Sequence, residues 1–110
     1  MKLVLFSGSH PRHIFVNKEV LNFFDEILIF VMQREELLPE PPANINEHDK
    51  ELFIKHFSNR SKVEKLFYGD LSANEVFQNF EVQYLSPNEL NTEKVASKVK
   101  EFRPDFCFIF

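Results

Sequence analysis

Seven consecutive residues, Ser7-Gly8-Ser9-His10-Pro11-Arg12-His13, bring two hydroxyls, two imidazoles and a guanidinium together directly behind a short apolar run. A small-residue turn that opens a helix presents unpaired backbone N–H groups. With Arg12 and the two imidazoles beside them, such donors make a place for an anionic or polar ligand. The candidate substrate-binding residues are therefore Gly8, Ser9, His10, Arg12 and His13. The same residues also read as a capped turn whose His and Arg side chains are solvated. No dinucleotide fingerprint is present, because Gly-x-Gly-x-x-Gly is absent and the whole chain has 2 Gly.

A second group, His56, Arg60 and Glu64, repeats every fourth residue and so falls in a row along one helix edge, with Phe53, Phe57 and Phe67 near the adjoining face. A role in catalysis requires that edge to point into a crevice. The alternative is that Arg60 and Glu64 tie the helix to a neighbouring loop, or form a solvent-facing pair of a few tenths of a kcal/mol. The 4 His do not form a metal motif: His10 and His13 are three apart, His48 and His56 eight apart, and no His-Glu-x-x-His or paired-Cys pattern accompanies them. Cys107 sits inside an apolar run, where a thiol is not activated, and no Gly-x-Ser-x-Gly elbow occurs. No catalytic residue is assigned within the chain.

The elements that must position these residues follow from local pattern. Leu3-Val4-Leu5-Phe6 is a buried strand ended by Ser7-Gly8-Ser9. Pro11 suits the first turn of a helix, and His13, Val16, Val20 and Phe23 or Phe24 give that helix an apolar face. Glu26 to Met32 is a second buried strand. The prolines at Pro39, Pro41 and Pro42 enforce a loop. Asn46, with Asp49 three residues on, caps a helix that stops at Gly69, with Ser58-Asn59 as its weak point. Phe80 to Leu85 is a third strand. Ser86-Pro87-Asn88-Glu89 has the capping-box form, Asn91 offers a second cap for a helix reaching about Phe102, and a fourth strand follows Asp105. The order β-α-β-α-β-α-β with right-handed crossovers predicts an α/β fold, a Rossmann-like parallel sheet of strand order 3-2-1-4. In that order the first and fourth strands are neighbours.

Composition narrows the class. In 110 residues there is room for one core, and 14 Phe with 44% hydrophobic residues argue for a packed one. A net charge of −4 provides no basic footprint for nucleic acid. No run approaches the roughly 18 apolar residues of a membrane span, and a single Cys excludes an internal disulfide framework. A soluble, cytoplasmic protein is expected. Phe106-Cys107-Phe108-Ile109-Phe110 reads as a strand apolar on both faces with no loop after it, so the fold is expected to be truncated after the fourth strand. Homo-oligomerisation through that strand is a further expectation.

Leu5 to His13, Arg34-Glu35-Glu36 with the Pro39 to Pro42 loop, His56-Phe57 with Arg60, Glu64 and Phe67-Tyr68-Gly69, and Arg103-Pro104-Asp105 together resemble the formyltransferase family. The likeness spans nearly all of the chain and is nearest to members acting on amino sugars, alongside methionyl-tRNA and glycinamide ribonucleotide formyltransferases. It implies transfer of a formyl group from 10-formyltetrahydrofolate to an amine of a small-molecule substrate. It places the family's catalytic Asn, His and Asp after the strand matched here by Phe106 to Phe110, so that only Gly8 to His13 map near the substrate crevice. Two alternatives stand beside this reading: a non-catalytic Rossmann-like domain for a nucleotide or sugar nucleotide, and a self-associating fragment.

Overall fold

The computed structural model describes residues 1–33 and 38–110. The Arg34-Glu35-Glu36 portion of the resemblance lies outside the described residues. Four parallel strands, β1 (Lys2–Gly8), β2 (Glu26–Met32), β3 (Glu81–Leu85) and β4 (Phe106–Ile109), form one sheet in the order β3-β2-β1-β4. Helices α1 (Pro11–Leu21), α2 (Glu47–Tyr68), α3 (Ala73–Val76) and α4 (Glu93–Phe102) make the crossovers. The α/β Rossmann-like arrangement with strand order 3-2-1-4 is the one expected from the element order.

The register aligns Leu3 with Ile27, Leu5 with Ile29 and Phe6 with Phe30. Because successive side chains point to opposite faces, the sheet divides its apolar residues into two cores. Leu3, Leu5, Ile27, Ile29 and Val31 pack with Ile14, Leu21, Ala73 and Phe77 on the α1 and α3 side. Val4, Leu28, Phe30 and Leu85 pack with Val95 on the α4 side. The middle strands are thereby covered on both faces, which is why they read as continuous apolar runs.

Several expectations are corrected. The buried stripe of α1 is Ile14, Asn17 and Leu21, one position along from the face drawn through His13 and Val16. Of the remaining positions on that face, Val20 and Phe24 pack partly buried against the core, while Phe23 is 77% exposed. The short turn after β1 sets the rotational phase of the helix, and Asn17 is accommodated because its Nδ2 donates to Ser7 Oγ at 2.7 Å. Helix α2 passes through Ser58-Asn59 without a break, capped at Asn46 by a 2.8 Å bond from Asp49 N–H and ended at Gly69, whose φ is +63°. Helix α3 was not anticipated; Phe77 just after it is fully buried. The Ser86/Glu89 box forms, with Ser86 N–H donating to Glu89 Oε1 at 3.0 Å, but it closes a turn. Helix α4 starts later, behind Thr92 instead of Asn91.

Strand β4 also departs from the buried strand expected. Phe106 is 52% and Ile109 76% exposed, and Cys107 is exposed. Among the described residues β4 pairs only with β1, so its second edge is open. No helix among the described residues is long and apolar enough to cross a membrane.

Candidate functional site

Ligands of open parallel sheets settle at the carboxyl ends of the strands, and here those ends surround a cavity of about 390 Å³. Its floor is Phe6 and Phe30, register partners whose rings stack at a centroid distance of 5.1 Å. Leu85, Leu90, Ile109 and Phe110 form apolar walls, and Ser7, Gly8, His13 and Asn91 supply polar groups. The volume lies in the range of small-molecule sites, and the mixture of many apolar atoms with a few polar ones is typical of them.

The turn after β1 places His13 over this cavity. Its ring meets Phe110 edge to face at 5.3 Å and His10 at 5.6 Å. Gly8 makes that approach feasible, since a Cβ on Gly8 would stand 2.1 Å from His13 Nδ1. Backbone bonds lock the same point to β4: Gly8 N–H donates to Phe110 O at 3.2 Å, and Phe110 N–H to Phe6 O at 3.0 Å. Behind the turn, Ser7 Oγ accepts from Asn17 and donates to Gly8 O at 2.8 Å. Asn17 is wholly buried, and its Oδ1 has no hydrogen-bond partner among the described residues.

The five residues singled out in the sequence do not share one cavity. Gly8 and His13 face the large one. Ser9 opens onto a second cavity, of about 360 Å³, across the sheet. His10 and Arg12 line a cleft of about 30 Å³ between α1 and α2, the space of a single water. There Arg12 Nη1 donates to Glu64 Oε1 at 2.6 Å. Glu64 thus ties α2 to α1 through a side chain only 15% exposed, and the pair with Arg60 is present as the longer, secondary contact, with Arg60 Nε 3.9 Å from the same Oε1. Arg60 also stacks on Phe57 at 4.6 Å, and His56 is exposed on the same helix.

Sequence reasoning missed the aromatic floor and Asn17. The signal for the floor was available in the alternation of β1 and β2, which puts Phe6 and Phe30 on one face once the strands are paired. No comparable signal marks Asn17, whose value is visible only when α1 lies on β1. Among the described residues no three His, Cys, Asp or Glu side chains are gathered to hold a metal ion. No family model matches the chain, and no curated protein matches it. The site must be judged on its geometry.

Proposed function

We propose that the chain serves in folate-dependent formyl transfer, as the amino-terminal portion of an enzyme that moves a formyl group from 10-formyltetrahydrofolate to an amine of a small molecule such as an amino sugar. The observation that carries this reading is the cavity at the carboxyl ends of β1 and β4. It is floored by two stacked rings and edged by His13, Ser7 and Asn91, a shape and chemistry suited to a flat heteroaromatic group with hydrogen-bonding edges. The resemblance in the sequence points to the same cofactor. It also assigns the catalytic Asn, His and Asp outside the positions matched here, so the role proposed for these residues is binding and orientation. A cytoplasmic setting with Cys107 reduced accompanies the reading. The open edge of β4, which carries no charged side chain from Phe106 to Phe110, is the surface through which further strand pairing is expected.

His13 is the one titratable side chain in the lining of this cavity among the described residues. That favours a second reading, a domain that binds a nucleotide or sugar nucleotide without catalysis. Calorimetric titration of the chain separates the two. Saturable binding of 5-formyltetrahydrofolate, weakened by Phe30→Leu, is expected for the first. Binding of a nucleotide or sugar nucleotide with no response to the folate would replace it with the second.

A further inference from the structure

Helix α2 has two faces, and the fold uses one. On the used face Glu64 accepts from Arg12, and Tyr68 meets Phe15 at a ring-centroid distance of 5.0 Å, which holds the helix to α1. None of the 22 residues of α2 is buried. The other face carries a stripe. Leu52, His56, Asn59, Val63 and Leu66 follow one another at steps of four, three, four and three, the spacing of a heptad seam, with Phe67 on its border. All six are exposed, Leu66 at 85% and Phe67 at 79%. A single apolar side chain on a surface is ordinary, whereas a row of them along one helix face marks an interaction surface.

The charges beside the stripe are of one sign. Lys55 and Lys62, one heptad apart, run along one border, and Arg60 lies toward the other. From Leu52 to Tyr68 the one carboxylate is Glu64, and it is turned to Arg12 on the α1 side. These cations stand in a chain of net charge −4, so they do not merely reflect composition. A second copy of α2 fits the stripe poorly. In antiparallel pairing Lys55 and Lys62 would face their own counterparts, and in parallel pairing Lys55 would face Arg60. A lipid surface fits no better, because His56 and Asn59 stand in the middle of the stripe, where an immersed face carries apolar groups. A partner helix accepts them, since a polar residue at one seam position fixes register at some cost in stability. We propose that this face of α2 docks an acidic amphipathic helix of a partner protein. The partner's apolar seam would cover Leu52, Val63, Leu66 and Phe67, and its flanking carboxylates would meet Lys55 and Lys62. The proposal is independent of the formyl-transfer reading.

The test is resonance mapping on the isotope-labelled 110-residue chain. The probe is a synthetic peptide of about three heptads, with Leu along its seam, Asn at the position opposite Asn59, and Glu on both flanks. A second peptide carries Lys in place of each Glu. The acidic peptide is expected to shift the amides of α2 saturably from Leu52 to Phe67, and the basic one to leave them in place. Lys55→Glu combined with Lys62→Glu should weaken the acidic peptide about tenfold, and Leu66→Ser should do the same. All three side chains are exposed, so the fold should persist, and unchanged resonances of the β-sheet check this. No response to the acidic peptide, equal binding of both peptides, shifts at the edge of β4 instead of α2, or an unchanged affinity in the double variant would overturn the proposal. Binding of phosphatidylserine vesicles through α2 without a response to the acidic peptide would replace the partner helix with a lipid surface. Dimerisation in sedimentation that Leu66→Ser abolishes would replace it with a second copy.

Discussion

The imidazole of His13 occupies the space a side chain on Gly8 would need, with Nδ1 only 2.1 Å from where that Cβ would be built. Gly8 is required by this contact and not by its backbone torsion, because among the glycines only Gly69 has a positive φ. The contact couples the end of β1 to the first turn of α1 and aims the imidazole at Phe110.

Gly8→Ala is expected to push the His13 ring away from Phe110 and destabilise the chain by about 1–3 kcal/mol, as over-packing does. For a domain of this size that lowers Tm by several degrees. Gly8→Ala combined with His13→Ala should lose much less than the two single changes added together, and a double-mutant cycle by thermal unfolding measures the difference. Additivity would show that the two residues do not touch.

Glu64 is the hinge between α1 and α2, accepting from Arg12 at 2.6 Å with Arg60 near. Arg12 is 30% exposed, so solvent screens the pair in part. Glu64→Ala should lower stability by about 1–2 kcal/mol, and Arg60→Ala by much less. Chemical denaturation of both variants ranks them, and equal losses would contradict the geometry.

Glu89 is held below the ordinary carboxylate range, first by the hydrogen bond from Ser86 N–H and then by the Ser86 hydroxyl. A depressed folded-state pKa contributes stability that is present above the unfolded value, about 4.3, and is lost as pH falls through the lower folded value. The titration midpoint of Glu89, followed by resonance shifts, should lie below that of an exposed Glu. Ser86→Ala should move it up, since it removes the hydroxyl, and leave part of the depression, since the backbone donor stays.

Two phenylalanines distinguish the core from the open edge. Phe30 is 1% exposed and Phe106 52%. Phe30→Ala should cost about 3–5 kcal/mol, whereas Phe106→Ala, whose ring touches Phe24 at 5.9 Å but is half in solvent, should cost about 1–2 kcal/mol. Equal losses would mean that the Phe106 ring is covered in solution, and sedimentation would then show whether a second copy covers it.

The order of the four strands and the three longer helices, and the order of the sheet, were legible in the sequence because they depend on short-range rules; the four-residue α3 was not. Glu26–Met32 announces itself as a strand by an unbroken apolar run, Asn46 and Gly69 mark the ends of α2 by cap chemistry, and parallel strands joined by right-handed crossovers leave few sheet orders to choose from. The turn at Gly8 to His13 was legible as a place where polar groups gather. What it does with them was not, because the answer depends on segments far along the chain. Arg12 meets Glu64 52 residues away, His13 meets Phe110, and Ser9 faces Tyr84 across a different cavity from Gly8. The rotational phase of α1, which buries Asn17 and not Val16, was likewise decided by how the helix sits on β1, since periodicity gives a helix a face but not the direction in which it points.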